Sequence, residues 1–236
     1  MRKTRKAAAI LTAAAMAAAS AMPVMADEIK DLYDYETQAR EVETWNILHS
    51  QSAADLNVLT NLYDGLVEAD EYGKVVPAIA ESGETEDHGI TWTFHLREGV
   101  KWVDQNGNEK GEVTAQDFLT GLEWILNFHK NDAANTSMPM EMIVGAEDYY
   151  NMTSELDADA GFALTAESPE FADTVGIKAI DDYTLQYTCV SEKPYFDTLG
   201  VKLLYPISQG MIDEIGVDGF KAATPENIWY NGCYTC

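Results

Sequence analysis

Thr91-Trp92-Thr93-Phe94-His95-Leu96-Arg97-Glu98-Gly99-Val100-Lys101-Trp102-Val103, residues 91–103, is the stretch on which the fold turns. From Thr91 to Leu96 bulky apolar and polar residues alternate, placing Trp92, Phe94 and Leu96 on one face, because successive strand side chains point to opposite sides of a sheet. Arg97-Glu98-Gly99 reads as a turn and Val100 to Val103 as a return, so a β-hairpin with one buried face is expected. A second hairpin is predicted from Val175 to Ala179 and Tyr183 to Cys189 across Asp181-Asp182, with Tyr183, Leu185, Tyr187 and Cys189 on one face.

Working outward, Leu56, Leu59, Leu62, Tyr63 and Leu66 recur at three- and four-residue steps, which predicts a helix over residues 55–66 ended by Gly65. Thr114 followed three residues later by Asp117 resembles a capping box, and Phe118, Leu122 and Ile125 carry one helical face to about Phe128. Residues 41–48 suggest a first strand, 71–74 a turn, 77–81 a short helix or loop and 131–140 a loop. A short helix is expected near residues 144–150, a solvated acidic segment over 153–173 and a strand over 201–207. Strands and helices interleave, so the class is α/β.

The chain has 236 residues, with 15 Lys+Arg against 40 Asp+Glu and a formal charge of −25. Nucleic acid is therefore excluded as a partner, since phosphate binding needs a concentrated basic surface, and an anionic membrane is disfavoured likewise. Arg2, Lys3, Arg5 and Lys6 precede a small apolar run, Ala7 to Ala21, that is shorter than the roughly twenty residues needed to span a bilayer. Val24-Met25-Ala26 then places small side chains where a signal peptidase cuts, so residues 1–26 read as a removed export signal. The rest carries 11 basic and 40 acidic residues, a net of −29. It is expected in the periplasm or at the outer face of the envelope, with no membrane insertion once the signal is gone. The first cysteine is Cys189, too late for a lipid anchor next to the signal.

Leu62-Tyr63-Asp64-Gly65-Leu66, Pro77-Ala78-Ile79-Ala80-Glu81, residues 91–102 and Val113-Thr114-Ala115-Gln116-Asp117-Phe118 occur in that order. They are followed by Val175 to Leu185, Pro194-Tyr195-Phe196 and Asn231-Gly232-Cys233-Tyr234. Together these landmarks resemble the bacterial extracellular solute-binding proteins of family 5, the oligopeptide, dipeptide and nickel receptors of ABC importers. One departure is the long polar loop from Trp102 to Gly111 in place of a compact Trp-x-Asp-Gly-x-Pro turn. The resemblance implies a periplasmic-binding-protein type II-like, two-lobed receptor with an inserted extra domain. Residues 27–65 would begin the first lobe, 66–206 form the inserted domain and 207–236 return to the first lobe. Family members are roughly twice this length, so the sequence would be truncated before the second lobe and the cleft would lack a wall. The partners implied are an oligopeptide or other small solute and the permease subunits of an ABC importer, with the complete receptor a monomer.

The family's ligand-facing loop falls on Ser50, Gln51 and Ser52, where some members carry an acid for the peptide amino group and this chain has Gln51. Asn135, Ser137 and Met138 correspond to another ligand-near loop, while Trp45 and Trp229, with Asn231 beyond, flank the cleft edge. Trp92, Trp102 and Trp124 are assigned to packing. No motif isolates a carboxylate pair or a nucleophile, and His49, His88, His95 and His129 lack paired metal-ligand spacing, so neither catalysis, a metal nor a cofactor is expected. Cys233 and Cys236 have Cys-x-x-Cys spacing without a thioredoxin-like strand before them. An oligosaccharide or metal-chelate receptor of the same fold is the alternative within binding proteins, and a secreted acidic-pair hydrolase the alternative outside them. Mass spectrometry of the exported protein should find Asp27 at the N-terminus; Met1 retained outside the cytoplasmic membrane would refute the signal reading.

Overall fold

The computed structural model describes residues 41–131, 135–200 and 204–236. The signal sequence and its cleavage site lie outside them. A turn at Ile47–His49 leads to helix α1 (Ala53–Leu59), then β1 (Val67–Ala69) and β2 (Val75–Pro77), a small antiparallel pair. β3 (Ala80–Glu84), β4 (Thr91–Leu96), β5 (Lys101–Val103) and β6 (Glu109–Glu112) follow. A helical stretch comes next: α2 (Ala115–Leu126), α3 (Phe128–Asn131), α4 (Ser137–Met142), α5 (Ala146–Ser154), α6 (Ala158–Ala163) and α7 (Pro169–Ala172). β7 (Ile177–Asp181), β8 (Thr184–Thr188), a π-type turn at Phe196–Gly200 and α8 (Gln209–Lys221) complete the order.

Among the described residues the main sheet is antiparallel, in the order β3-β4-β8-β7. β4 sits opposite β8 in the register Trp92↔Tyr187 and Phe94↔Leu185, and β7 continues it with Ile177↔Tyr187 and Ala179↔Leu185. The alternation of residues 91–96 is thus realised: Trp92, Phe94 and Leu96 are buried together with Leu185, Tyr187 and Cys189. Phe94 meets Tyr187 edge-on, and Tyr187 meets Phe196 with ring centroids 5.2 Å apart. Each such aromatic pair adds about 0.5–1.5 kcal/mol to the burial of its area.

The second hairpin forms as expected, but the first does not. Both edges of β4 are taken by β3 and β8, and Lys101–Val103 pairs instead with Glu109–Glu112. The cause is local. The Asp104 carboxylate accepts the Asn106 and Asn108 N–H groups at 2.9 and 3.0 Å, so the polar loop closes as a turn before Val103 can reach β4. The extra residues after Trp102 therefore build a hairpin of their own.

Other expectations need correction. Residues 41–48 form no strand: the Asn46 carbonyl accepts from His49 and Ser50 N–H, and its side chain accepts from Leu48 N–H, local bonding that competes with a sheet ladder. The first helix is Ala53–Leu59 rather than 55–66; Leu62, Tyr63 and Leu66 are buried outside it, because Thr60 and Asn61 turn their side chains back to the carbonyls of Leu56 and Asn57. The region 77–81 closes β2 and opens β3. Ser137 begins a helix inside the expected loop, and the helix expected near 144–150 runs from Ala146 to Ser154. The acidic segment 153–173 holds α6 and α7 and buries Ala166 and Phe171 fully enough to belong to the core. Of 201–207 the described part, 204–207, is not a strand, and Leu204 and Ile207 pack in the core without one. α8 has no counterpart in the sequence reading.

At the centre lies α2. Eleven of its twelve residues are buried, the polar Asp117, Thr120 and Glu123 among them. It packs against β7, and at Gly121 the absence of a side chain lets the Tyr205 carbonyl approach the helix backbone. Its N-terminus is capped as the spacing indicated, with Thr114 N–H donating to the Asp117 carboxylate at 2.9 Å. Near its other end Glu123 is 2% exposed and pairs with Lys130, 4% exposed, at 2.8 Å. The Asn127 amide and the Tyr149 hydroxyl each donate to Glu123 Oε1 at 2.8 Å, and Lys130 also donates to the Leu164 carbonyl. Lys130→Ala leaves this carboxylate buried without its cation and should destabilise the fold by about 3–5 kcal/mol, whereas the pair of changes Glu123→Leu and Lys130→Met should cost less. Urea denaturation of the three proteins checks the order.

Candidate functional site

The loop that precedes α1 is built from short polar side chains that bond back to the chain. Asn46 is fully buried; its Nδ2 donates to the Phe220 carbonyl at 2.9 Å, tying the loop to α8. Trp124 Nε1 donates to His49 Nε2 at 2.9 Å, tying it to α2. The Ser50 hydroxyl donates to Asp55 Oδ2 at 3.4 Å and accepts from Ser52 N–H, while Asp55 Oδ1 accepts from Glu43 N–H at 3.2 Å. Ser52 then caps α1 by accepting from Asp55 N–H. Ser50 and Asp55 are buried and Ser52 is half-buried, but Gln51 between the two serines is exposed. What the loop offers outward is the uncharged amide of Gln51.

The second expected segment reaches the same place. Asn135 has a left-handed backbone, φ 51°, and its Nδ2 donates to the Leu48 carbonyl at 2.9 Å and the Ser50 carbonyl at 3.2 Å. Ser137 is exposed at the start of α4, and Met138 is partly buried against the core, as is Trp45. The fold therefore brings Ser50, Gln51, Ser52 and Asn135 together.

Trp229 and Asn231 belong to another group. Trp229 is 7% exposed, with the Lys110 ammonium 5.2 Å above its ring; Lys110 in turn meets Glu214 at 3.1 Å. Asn231 uses both ends of its amide on one residue, accepting from Asp64 N–H at 3.2 Å and donating to the Asp64 carbonyl at 3.1 Å. Tyr230 and Val103 exchange backbone hydrogen bonds at 2.8 and 2.9 Å. These contacts join the late chain to residues 61–64 and to β5.

Sequence reasoning passed over Asn46, His49 and Asp55, which hold the loop from behind. Their signal was present: Asn46 is a poor strand residue at the middle of the strand expected there. Among the described residues no three His, Cys, Asp or Glu side chains gather to hold a metal ion, and no helix is long and apolar enough to cross a membrane. Cys189 is buried, while Cys233 and Cys236 are exposed and free.

Two carboxyl groups here are held well above their ordinary range. Burial raises Asp117 to about 6, against the hydrogen bonds from Thr114 and the Trp102 indole that favour its charge. Asp64 is raised to about 6, first by desolvation and then by the nearby Glu68 charge. An acid whose folded pKa exceeds its unfolded value binds more protons in the folded state, so stability falls as pH rises from about 4 to 6 and stays lower above. Asp64→Asn should therefore raise stability at pH 7 by about 1 kcal/mol, a value reduced for its partial exposure, and leave it unchanged at pH 4. Urea midpoints across that range measure the effect.

Residues 74–236 match the family described as "Bacterial extracellular solute-binding proteins, family 5 Middle". The chain is 33% identical to the oligopeptide-binding protein AliB of Streptococcus pneumoniae over 201 residues, covering 85% of this chain and 28% of AliB. It is 32% identical over 240 residues to the periplasmic oligopeptide-binding protein OppA of Salmonella typhimurium, covering 99% of this chain and 39% of OppA. The crystal structure of Haemophilus influenzae OppA in complex with RPPGFSPFR superposes with a TM-score of 0.63 at 27% identity, over 81% of this chain and 33% of that one. The chain thus spans about a third of the length of the relatives it matches.

Proposed function

Because the chain belongs to the bacterial extracellular solute-binding proteins of family 5, we propose that it serves an oligopeptide receptor that captures its ligand outside the cytoplasmic membrane and delivers it to the permease subunits of an ABC importer. The observation that carries this reading is the extent of the match. Similarity to the Salmonella periplasmic oligopeptide-binding protein runs over 99% of the chain, and so includes the loop around Gln51. The oligopeptide-binding relatives support a role in binding without turnover, and the acidic-pair hydrolase is not favoured.

In this reading the Ser50–Ser52 loop faces the ligand. A backbone-rich loop with one neutral amide suits an extended peptide, whose N–H and C=O groups bond to it much as an added strand bonds to a sheet edge. Segments 27–65 and 207–236 form parts of one lobe, with 66–206 inserted between them. The bonds from Asn46 to Phe220 and between Asn231 and Asp64 support placing the early and late segments together, since each joins one to the other. The complete receptor acts as a monomer in the periplasm or at the outer face of the cell envelope.

Gln51 supplies no negative charge, so acetylating a peptide's N-terminus should weaken binding less than about tenfold, whereas losing a buried ammonium–carboxylate contact costs about 2–5 kcal/mol. The test is isothermal titration of the receptor purified from its host with peptides of three to six residues, their acetylated forms and xylo-oligosaccharides. Saturable heat with peptides alone is expected. Binding of the sugars with no response to peptides would overturn the peptide assignment, and a loss above about thirtyfold on acetylation would place an acid at the peptide amino group.

A further inference from the structure

We infer that Asn135 is a positioning residue: it fixes the direction of the Gln51 loop, and through it the affinity for ligand, without touching the ligand itself. The inference rests on the loop being ligand-facing, as proposed above. Three observations lead to it. One side-chain nitrogen of Asn135 serves two carbonyls of the loop, Leu48 and Ser50, so both of its N–H bonds are directed at the stretch immediately before Gln51. The partners lie 87 and 85 residues away in sequence, so this is a tertiary clamp and not part of a local turn. Finally, Asn135 holds its amide there from a left-handed backbone, φ 51°, a conformation that asparagine tolerates and bulkier residues resist.

The loop's other ties act on its flanks or from behind. Asn46 anchors its start to α8, His49 meets α2 through Trp124, and Ser50 and Ser52 bond toward Asp55. From the segment that leads into α4, Asn135 bonds two carbonyls that flank His49. Removing it frees those carbonyls to rotate, and the amide and backbone groups at Gln51 then sample more directions before a ligand arrives. Ordering them on binding would cost affinity, which is the penalty that preorganisation avoids.

Two substitutions separate the side chain from the backbone. Asn135→Gly keeps the left-handed conformation and deletes the donor; Asn135→Asp keeps the size and turns a carboxylate oxygen toward the two carbonyls. Two readouts are taken on the receptor purified from its host. In the absence of ligand, amide hydrogen exchange at Leu48, His49, Ser50 and Ser52, all hydrogen-bonded in the parent, should quicken about tenfold in Asn135→Gly and further in Asn135→Asp. Peptide Kd should rise about tenfold in Asn135→Gly, with Tm lowered by no more than a few degrees.

Unchanged exchange at these amides in both variants overturns the clamp. Faster exchange with an unchanged peptide Kd, or a Kd change that merely follows a large fall in Tm, makes Asn135 a structural residue and overturns the positioning role. A parent receptor that binds no peptide defeats the functional reading instead, and the exchange measurement, which needs no ligand, still decides whether the clamp exists.

Discussion

The ion pair between Glu123 and Lys130 is the constraint on which the helical part of this protein depends. A carboxylate in the interior costs several kcal/mol in lost hydration unless it is paired and hydrogen-bonded. Glu123 stands on a helix buried on nearly every side, so its partners must come from other elements. Lys130 arrives from α3, Asn127 from the break between α2 and α3, and Tyr149 from α5. Asn127 and Lys130 then reach on to the Gly161 and Leu164 carbonyls, at and just beyond the end of α6. Each requirement fixes a further segment, and these short helices are held in place through one central charge.

The same helix organises the candidate site from behind. Trp124, one position after Glu123, receives Lys130 over its ring, packs edge-on against Phe220 at 4.6 Å and donates to His49. The buried ion pair, α8 and the loop before α1 are consequently linked through one indole. A loop built this way is rigid where it is buried and polar where it emerges at Gln51.

The acidic composition works on a different level from these contacts. Among the described residues several of the carboxylates are used locally. Asp104 closes the β5–β6 turn, Asp117 caps α2 and binds the Trp102 indole, and Asp55 gathers the Ser50 loop. Asp117 retains a stabilised neutral form because burial outweighs the bonds that favour its charge. Among the described residues the buried carboxylates each have partners: Asp55 bonds to the Glu43 N–H and the Ser50 hydroxyl, Asp117 to the Thr114 N–H and the Trp102 indole, and Glu123 to Lys130, Asn127 and Tyr149.

By itself the sequence determined the local faces. The alternation at residues 91–96 and 183–189, the cap at Thr114 and the family landmarks were all legible, since side-chain period and capping depend only on neighbouring residues. It could not determine partners. Lys101–Val103 read as the return of β4, yet the Asp104 turn closed a separate hairpin and left both edges of β4 to strands from elsewhere. Residues 41–48 had strand composition, but Asn46 found its bonds within the turn and on α8, and the segment became a loop buried from Asn46 to Leu48. The helix at Gln209–Lys221 carries a break at Gly216, φ 76°, which interrupts the apolar period by which it would have been recognised. The candidate site divided in the same way. Ser50, Gln51 and Ser52 are neighbours in sequence and could be proposed together, whereas the link to Asn135 crosses more than eighty residues. Tertiary structure decides that meeting, because a hydrogen bond specifies distance in space and leaves no period in the chain.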